Sequence, residues 1–344
     1  MSSNDSFLVI GGSGFLGRAI VDMLLERGNQ RVAVFDLKTD GNFDSRVQVY
    51  QGNILNEDEL LSALNDSGTT CIIHTASPMP GAPAPSFWKV NVDGTRAVIS
   101  AAVKAGVEKL IYTSSASTIF NGADIAGVDE TTPFPKKHMD TYNETKAIAE
   151  TIIVDANGHG GLKTAVLRPS GIFGPGDYQS IASYARLIDD GKTTMQLGDN
   201  TNLFDFLYVE NAAYAFILAA EKLSGPVEEN PVAGQVFIIT NDDPWPFWNL
   251  ARAVWKGLGH VPPKTTIIPR PVAMFIGLIS EFWGWLTGKP ALITRFRVTF
   301  ACATRWFNIS KAKTLLGYKP LYTMDEGVQK SVEWWKNEGS KRGY

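Results

Sequence analysis

The sequence predicts an α/β fold, in which a doubly wound parallel sheet carries helices on both faces and a smaller, mainly helical C-terminal lobe follows. Up to about residue 169, short β-branched and aliphatic runs alternate with longer helical patterns, as in a parallel sheet with crossover helices. The predicted strands are 7–10, 31–35, 47–50, 71–74, 109–113 and 164–167. A helix is predicted at 16–27, because Ile20, Leu24 and Leu25 share one face and Gly28 follows at a typical stop position.

Chain length and a change in composition predict two lobes. A chain of 344 residues exceeds the usual size of a single hydrophobic core, so one large unit with a smaller attached lobe is expected. Beyond residue 173 the alternating pattern gives way to Pro- and Gly-rich loops and aromatic clusters. We assign residues 1–173 to the first lobe and 174–344 to the second, and we expect segments near 206–223 and 234–240 to return to the first lobe.

Composition and charge exclude several classes of function. Hydrophobic residues make up 44% of the chain, charged residues make up 19%, and the net charge is −3, so no nucleic-acid partner is expected. The two cysteines, Cys71 and Cys302, lie far apart in sequence and fit neither a disulfide framework nor a metal site. We therefore expect no bound metal. The N-terminus lacks the pattern of a secretory signal, so we expect a protein made in the cytosol.

A glycine-rich turn directly after the first predicted strand indicates a dinucleotide site of the Rossmann type. Residues 11–17 fit both G-x-G-x-x-G and G-x-x-G-x-x-G and lead into the first predicted helix. Glycine permits the tight turn and the close approach to a pyrophosphate, while the helix N-terminus favours the phosphates. The candidate cofactor ligands here are Gly11, Gly12, Ser13, Gly14, Phe15, Leu16 and Gly17. A glycine turn without a ligand is the alternative, and the context disfavours it.

An acidic residue and a polar loop follow later predicted strands. Asp36 closes the second strand, 19 residues after Gly17, where a carboxylate can bind the adenosine ribose. Because this carboxylate repels a 2′-phosphate, we predict NAD in preference to NADP, although Lys38 nearby reduces the repulsion. The run 74–78, His-Thr-Ala-Ser-Pro, follows the fourth strand and is expected along the adenosine and its diphosphate. An ordinary strand-end loop is the alternative for this run.

Tyr142 and Lys146 form the candidate catalytic group, together with Ser115. Thr141 and Glu144 have capping-box spacing, which predicts a helix start and places Tyr142 and Lys146 on one face. A phenol with a pKa of about 10 is a poor base at neutral pH unless a nearby ammonium stabilises the phenolate. We expect Lys146 to supply that ammonium and to bind the nicotinamide ribose. We expect Ser115, after the fifth strand, to hydrogen-bond the reacting oxygen.

The pattern Tyr-x-x-x-Lys is weak in isolation, because exposed helix faces often carry such pairs. The order along the chain makes it specific: a glycine loop, an acid after the second strand, a serine cluster after the fifth strand, and then this helix. We therefore interpret the group as catalytic. An alternative of a different class is a non-catalytic NAD-binding sensor or scaffold, which would typically lack Tyr142 or Lys146.

Several runs of the sequence resemble the extended short-chain dehydrogenases and, within them, the 3β-hydroxysteroid dehydrogenase family. These runs lie at 9–17, 74–78, 90–95, 112–117, 142–146, 167–176 and 239–242, so the resemblance covers nearly the whole chain. Three further runs, at 143–150, 246–248 and 315–320, are similar to the fungal branch of this family that acts on sterol 4α-carboxylates.

This resemblance implies a reaction and a larger set of cofactor contacts. The 3β-hydroxyl of a 4α-carboxysterol would be oxidised to a ketone and the carboxylate lost as carbon dioxide, a step of C-4 demethylation in ergosterol-type biosynthesis. Residues 1–173 would then form the NAD-binding domain and 174–344 the substrate-binding lobe. Beyond the glycine loop and Asp36, the implied cofactor contacts are Asn53, Ile54, Thr75, Ala76, Ser77, Asn91, Tyr142, Lys146, Pro169 and Ile172. Asn53 stands where the superfamily usually has aspartate.

Two alternatives remain on the same scaffold, because a fold does not determine a substrate. One is a hydroxysteroid dehydrogenase/isomerase, and the other is a nucleotide-sugar epimerase. An epimerase needs polar contacts for a nucleoside diphosphate, and the apolar, aromatic second lobe argues against that substrate.

The segment 271–286 predicts an interfacial helix. It is apolar but interrupted by Glu281, whereas a membrane crossing needs about 20 apolar residues. The residues expected to share one helical face are Phe275, Ile279, Phe282 and Trp283. Together with the resemblance, this predicts peripheral attachment to the cytosolic face of the endoplasmic reticulum membrane. Expected partners are a sterol methyl oxidase, a 3-ketosteroid reductase and a second copy of the chain.

Three further groups are considered as substrate contacts. Lys136, Lys137 and His138 precede the catalytic helix and either bind the substrate carboxylate or form a solvated loop, which we favour. Arg168, at a strand end, is expected to serve lobe packing rather than the carboxylate. The tryptophans that could line a sterol cavity, face a membrane or pack in the core are Trp245, Trp248, Trp255, Trp283 and Trp285.

Overall fold

The computed structural model describes residues 5–39, 42–79, 81–289, 291 and 293–342. The strands in these ranges are β1 (Phe7–Ile10), β2 (Val32–Asp36), β3 (Val47–Gln51), β4 (Cys71–His74), β5 (Lys109–Thr113), β6 (Ile125–Val128), β7 (Lys163–Pro169), β8 (Gly171–Phe173), β9 (Met195–Leu197), β10 (Leu203–Phe204), β11 (Phe206–Tyr208), β12 (Gln235–Ile239), β13 (Trp245–Pro246), β14 (Thr266–Ile268) and β15 (Arg305–Phe307).

The α-helices in the same ranges are α1 (Phe15–Glu26), α2 (Glu57–Ser67), α3 (Ala84–Phe87), α4 (Thr95–Lys104), α5 (Thr141–Asp155), α6 (Ser180–Asp189), α7 (Val209–Lys222), α8 (Phe247–Gly257), α9 (Arg270–Thr287), α10 (Arg295–Cys302) and α11 (Met324–Asn337). Two segments form π-helical turns, Trp88–Gly94 and Ala312–Leu316. Short 3₁₀ turns lie at Ala116–Ile119, His159–Gly161 and Gly339–Arg342.

Seven strands form one parallel sheet in the order β12-β7-β5-β4-β1-β2-β3. The strand order reverses between β1 and β4, and in open α/β sheets ligands bind at the carboxyl ends of the strands beside such a reversal. All six predicted strands lie in this sheet. The predicted α/β class with a doubly wound parallel sheet is therefore confirmed.

Apolar side chains on both faces of the strands build the two cores of the sheet. In β1, Phe7 and Val9 belong to one buried cluster, whereas Leu8 and Ile10 belong to the other. Successive side chains of a strand point to opposite faces, so a sheet covered on both sides needs continuous apolar strands. Residues of α1 and α7 complete the first cluster, and residues of α2, α4 and α5 complete the second.

Strand pairing connects early and late parts of the chain. β6 pairs with β15 in a second sheet of order β13-β10-β15-β6, and β8 pairs with β11. β12 adds to the main sheet beside β7, and α7 packs on α1. Segments beyond residue 173 thus belong to the main sheet and its helical cover. The boundary between the two lobes near this residue stays a prediction.

The start of α5 differs from the predicted capping box. The N-cap is Asp140, which has an extended backbone and whose carboxylate accepts a hydrogen bond of 2.8 Å from the Asn143 N–H. Thr141 is already helical, so the predicted pairing of Thr141 with Glu144 is wrong. A carboxylate at the N-cap both accepts a free N–H and interacts favourably with the helix dipole, which explains why the helix starts one residue earlier.

The predicted interfacial segment is the helix α9. It packs against α10 through small residues, since Ala273 and Gly277 are its buried positions. Most of its large apolar side chains are exposed to solvent, namely Val272, Phe275, Ile276, Leu278, Ile279, Phe282, Trp283, Trp285 and Leu286. Within the described part of the chain, no helix is both long and apolar enough to cross a bilayer.

Candidate active site

The turn between β1 and α1 has a shape that requires glycine at two positions. Gly11 has a φ of +83°, and a Cβ there would lie 2.7 Å from the backbone nitrogen of Ala76. A Cβ at Gly17 would overlap the carbonyl oxygen of Gly11, so this residue permits the close contact of helix and turn. Gly14 is less restricted, because the nearest atom to a Cβ would lie at 3.2 Å. Without a side chain, Gly14 leaves the surface of the turn open.

The N-terminus of α1 is free to bind an anion. Gly14 is the N-cap and provides no side-chain cap, and the first turn contains no acidic residue. The first N–H groups of a helix have no partner within the helix, and they carry the positive end of its dipole. The glycine turn and this uncapped helix start therefore fit the pyrophosphate of a dinucleotide.

Asp36 lies at the end of β2, directly beside the glycine turn. Its carboxylate accepts hydrogen bonds from the Ser13 N–H at 3.0 Å and from the Lys38 N–H at 3.4 Å. The hydroxyl of Ser13 donates to the carbonyl of Lys38 at 2.7 Å. These contacts fix the carboxylate at the place where the ribose of an adenosine would lie.

The loops after β3 and β4 complete the wall around the turn. Asn53 accepts a hydrogen bond from the Leu55 N–H at 3.0 Å, and Ile54 is buried. The hydroxyl of Thr75 donates to the carbonyls of Ile10 and Gly11, at 2.9 and 3.2 Å, so it holds the glycine turn. The side chain of Thr75 thus stabilises the loop.

Asn91 connects the loop after β4 with the helix α5. It lies in the π-helical turn Trp88–Gly94 between α3 and α4 and is buried. Its Oδ1 accepts from the Ser77 hydroxyl, and its Nδ2 donates to the Thr145 hydroxyl, both at 3.0 Å. A π turn often marks a functional site, because the extra residue redirects one side chain. Here the hydrogen bonds of Asn91 connect Ser77 with Thr145, the residue before Lys146.

Tyr142 and Ser115 meet in this site. Ser115 caps the 3₁₀ turn Ala116–Ile119, and its hydroxyl lies 2.9 Å from that of Ser117. Burial raises the pKa of the Tyr142 phenol above its ordinary value, and the Ser115 hydroxyl opposes this rise by hydrogen-bonding the phenolate. Serine is therefore the group that lowers the pKa of the tyrosine here. The predicted stabilisation of the phenolate by Lys146 stays a prediction.

Lys146 is buried and points to the end of β5. Its Nζ donates a hydrogen bond of 2.7 Å to the carbonyl of Thr113 and lies 4.9 Å from the centre of the Tyr112 ring. Burial lowers the pKa of Lys146 to about 7, because the charged form loses hydration. The carbonyl contact holds the ammonium at the end of β5.

His74 lies behind the lysine and is neutral at physiological pH. Burial lowers the pKa of His74 to about 3, and the charge of Lys146 adds to this effect. The ring packs edge-on against Tyr112 at 5.4 Å, and its Nδ1 has no hydrogen-bond partner among the residues that the structure describes. The first residue of the predicted run 74–78 is thus part of the core beneath the site.

A buried ion pair that the sequence analysis missed supports the catalytic helix. The carboxylate of Glu150 on α5 accepts hydrogen bonds from two nitrogens of Arg168 on β7, and the shortest of these is 2.6 Å. It also accepts a hydrogen bond of 2.6 Å from the Ser114 hydroxyl. The pair ties α5 to β5 and β7. The spacing of Glu150 four residues after Lys146 places its carboxylate on the same helical face, but it does not indicate Arg168 as the partner.

The remaining predicted site residues take separate positions. Pro169 ends β7 and is buried, while Ile172 in β8 and Ala76 after β4 are partly buried. Lys136 and Lys137 are exposed, and His138 is partly buried. Two tryptophans have a clear structural role, since the indole of Trp255 donates to the carbonyl of Tyr184 and that of Trp248 to the carbonyl of Leu197. Trp245 donates to Asp243, and Trp283 and Trp285 are exposed.

A parallel sheet in this order, a glycine turn beside its reversal point and a serine, tyrosine and lysine group define the short-chain dehydrogenase class. The model of the 3-beta hydroxysteroid dehydrogenase/isomerase family matches residues 8–270, and the chain belongs to this family. The predicted family is therefore confirmed.

Curated relatives match the chain over nearly its full length. The sterol-4-alpha-carboxylate 3-dehydrogenase (decarboxylating) of Schizosaccharomyces pombe is 44% identical over 97% of this chain and 98% of its own length. The enzyme of the same name from Saccharomyces cerevisiae is 43% identical over 97% and 99%, and the human one is 37% identical over 94% and 87%.

Solved structures share the fold. The protein gox2253 superposes with a TM-score of 0.79 at 26% identity, covering 98% of this chain and 99% of its own. A UDP-glucose 4-epimerase from Thermotoga maritima superposes with a TM-score of 0.74 at 22% identity, covering 96% and 98%. At that identity, the epimerase shows a common architecture only.

Proposed function

We propose that the protein is a NAD-dependent sterol-4α-carboxylate 3-dehydrogenase (decarboxylating). It oxidises the 3β-hydroxyl of a 4α-carboxysterol to a ketone and releases the carboxyl group as carbon dioxide, a step in C-4 demethylation during sterol biosynthesis. The observation that carries this proposal is the pairing of Ser115 with Tyr142 beside the buried Lys146, in a chain that is 44% identical to a relative with this name.

The residues around the glycine turn hold the cofactor. The uncapped start of α1 receives the pyrophosphate, and the Asp36 carboxylate accepts hydrogen bonds from the adenosine ribose. When bound, NAD supplies the acceptor for the hydride of C3 and a positive charge on its nicotinamide ring. The Ser13 and Lys38 N–H groups keep Asp36 in place.

Tyr142 accepts the proton of the 3β-hydroxyl, while Ser115 hydrogen-bonds the same oxygen. Any positive charge beside the phenol favours the phenolate over the neutral form, which opposes the effect of burial on the pKa. Lys146 in its ammonium form donates to the Thr113 carbonyl and retains donors for a ribose hydroxyl. Oxidation thus moves the hydroxyl proton to Tyr142 and leaves a carbonyl at C3.

Loss of carbon dioxide follows from the product of this step. The 3-ketone places a carbonyl β to the carboxylate, so the electron pair of the breaking carbon–carbon bond can flow into the carbonyl. Ser115 and the protonated Tyr142 then hydrogen-bond the resulting enolate oxygen, and a proton from water at C4 converts the enolate into the 3-ketosterol. Decarboxylation therefore requires no further catalytic residue.

The test compares carbon dioxide with NADH. A 3β-hydroxy-4α-carboxysterol labelled in the carboxyl group is given with NAD, and both products are followed over time. We expect labelled carbon dioxide never to exceed NADH, and a 3-ketosterol as the product. Carbon dioxide release without cofactor, or a ketone that retains the acid, would contradict the proposed order. Turnover of UDP-glucose in place of the sterol would indicate an epimerase.

We also propose that the protein attaches peripherally to the cytosolic face of the endoplasmic reticulum membrane through α9. The helix exposes its large apolar side chains, whereas its small residues face the protein. Arg270 starts the helix and Lys289 follows its end, and both side chains are exposed and suit anionic headgroups.

A sterol acid must be made by oxidation of a 4α-methyl group, and the ketone product must be reduced. We therefore propose enzymes of those two classes as neighbours on this membrane.

Vesicles test this attachment. The protein is sedimented with vesicles of phosphatidylcholine, with and without phosphatidylserine, and compared with the double variant Phe282→Glu, Trp285→Glu. We expect the variant to remain in the supernatant, because two charges oppose insertion of the apolar face. Leu321→Glu, at an exposed apolar residue outside α9, serves as the control. Equal sedimentation of all three proteins would contradict the proposal, as would lumenal protease protection in cells.

A further inference from the structure

Arg305 carries a buried guanidinium in a cage of aromatic rings. It starts β15, exposes 4% of its surface and lies 3.8–4.5 Å from the ring centres of Phe120, Phe204 and Phe300. One terminal nitrogen donates a long hydrogen bond of 3.4 Å to the Phe300 carbonyl, and Nε has no partner in the described part of the chain. Within the residues that the structure describes, this guanidinium has no carboxylate partner.

This arrangement is unfavourable for the folded protein by itself. An isolated charge loses its hydration on burial, and burial accordingly lowers the pKa of Arg305 to about 9. The three aromatic faces attract the cation and offset part of this loss. They do not supply an acceptor for Nε, and the acceptor that the structure describes for the terminal nitrogens, the Phe300 carbonyl, is distant. A planar anion such as a carboxylate would satisfy two of the N–H donors at once.

The aromatic cage contacts two chain segments that follow candidate site residues in sequence. Phe120 follows the short turn Ala116–Ile119 that Ser115 caps, so about 10 Å at most separates Phe120 from Ser115 at the rise of a 3₁₀ turn. Phe204 lies against the segment that follows β7, because a Cβ at Gly171 would come within 3.0 Å of its ring. The cage thus contacts the chain just beyond the catalytic serine and just beyond the end of a main-sheet strand.

The pairing of β15 strengthens this placement. Arg305 is the register partner of Ile125 in β6 and of Phe204 in β10. β6 is the strand that follows Phe120, so the same small sheet holds the arginine and the segment that leaves the candidate active site. By contrast, Arg168 is already paired with the carboxylate of Glu150. Lys136 and Lys137 are exposed to solvent rather than buried.

We propose that Arg305 binds the 4α-carboxylate of the sterol substrate. The proposal rests on the proposed function, which places the 3β-oxygen of the substrate at Ser115 and Tyr142. The carboxylate is attached to the ring carbon next to C3, so its binding group must lie close to the group that binds the oxygen. A guanidinium in an apolar wall supplies two parallel hydrogen bonds and excludes water, which selects acids over neutral sterols.

The experiment measures selectivity between two substrates. Arg305→Met removes the charge and leaves an apolar chain for the three rings to pack against. Each protein is assayed with NAD on a 3β-hydroxy-4α-carboxysterol and on the matching 3β-hydroxy-4α-methylsterol. We expect kcat/KM for the acid to fall about 10- to 100-fold, mainly through KM, because a hydrogen-bonded ion pair is lost. The value for the methylsterol stays unchanged.

Two further variants complete the test. Arg46→Met removes an exposed guanidinium that pairs with Asp44 and should change neither value. Arg305→Lys keeps a charge but loses the planar fork, so its selectivity should fall between those of wild type and Arg305→Met. It also replaces the methionine variant in the comparison if thermal unfolding shows that variant to be unfolded.

The other outcomes overturn the assignment. An equal loss of kcat/KM on both sterols would indicate that Arg305 acts only in packing. Unchanged selectivity in both variants would show that Arg305 does not bind the carboxylate. A wild-type protein that oxidises neither sterol would contradict the proposed function instead.

Discussion

Burial in the fold controls the charge of Lys146. Its ammonium is buried between the Thr113 carbonyl and the Tyr112 ring, and burial lowers the pKa to about 7. His74 beneath it is neutral for the same reason. The candidate site is therefore a place of low polarity, in which a single added charge has a large effect on its neighbours.

Stability should reveal the lowered pKa of Lys146. In the unfolded chain this lysine has a pKa of about 10.4, so between pH 7 and 10.4 the unfolded state binds more protons than the folded state. The free energy of unfolding should therefore rise with pH in this window, by up to about 1.4 kcal/mol per pH unit. We would measure denaturant unfolding of wild type and Lys146→Met without cofactor from pH 7.5 to 9. A constant difference between the two proteins would contradict the shift.

Tyr142→Phe should remove turnover and leave cofactor binding intact. The variant loses only the hydroxyl that accepts the proton, and general base catalysis contributes at least about 100-fold. Steady-state rates and NAD titrations would measure the two effects separately. Tyr214→Phe, on α7, is the matched control and should behave like wild type. A Tyr142→Phe enzyme with much of the wild-type rate would show that another group takes the proton.

Asp36→Ser should weaken the preference for NAD over NADP. Serine retains a hydrogen-bond acceptor for the Ser13 N–H but no longer repels a 2′-phosphate. We expect the ratio of kcat/KM for the two cofactors to fall about tenfold, since a contact to a charged group is lost. Asp44→Ser, an exposed carboxylate before β3, should leave the ratio unchanged. Equal wild-type efficiency with both cofactors would refute the role of Asp36.

At the scale of elements, two glycines of the turn between β1 and α1 have different roles, one in folding and one in cofactor binding. Gly17→Ala places a methyl group on the Gly11 carbonyl, so it should lower stability by about 1–3 kcal/mol through overpacking. Gly14→Ala meets no atom within 3.2 Å and should keep the fold, while its methyl group obstructs the pyrophosphate. Thermal unfolding and NAD titration of both variants would test this. A stable Gly17→Ala protein with normal NAD affinity would contradict the packing role.

The sequence allowed the main sheet to be predicted because its strands are apolar on both faces and regularly spaced. The strands β6, β8 and β15 were not predicted, since each has only three or four residues and pairs with a strand far away in sequence. Helix α5 was predicted, but its cap was placed one residue too late. Local spacing does not distinguish a threonine from a preceding aspartate with an extended backbone.

In the candidate site, too, features that depend on local sequence were predicted, and features that join distant elements were not. The glycine turn and Asp36 were predicted, because each depends on a short motif beside a strand. The ion pair of Glu150 with Arg168 and the cage around Arg305 were not predicted, because they join residues from different elements. The position of the Lys146 ammonium on a backbone carbonyl depends on how β5 and α5 pack, which spacing alone does not give.

At the scale of the whole molecule, the two halves should unfold together. β12 and α7 come from the second half yet complete the main sheet and its cover, and β6 and β8 pair with later strands. Of the 9 tryptophans, only Trp88 lies before residue 174, so tryptophan fluorescence reports mainly on the second half. We expect it to change at the same denaturant concentration as far-UV circular dichroism. Two separate transitions would show independent halves.

The exposed face of α9 also bears on how the purified protein behaves in water. Without lipid, these apolar side chains can be covered only by detergent or by the same face of another copy, and apolar patches of this kind promote self-association. A dimer observed in lipid-free buffer could therefore be formed through α9 and compete with the membrane for one surface. Such a dimer would dissociate when vesicles are added, whereas a dimer formed through another surface would persist on the bilayer.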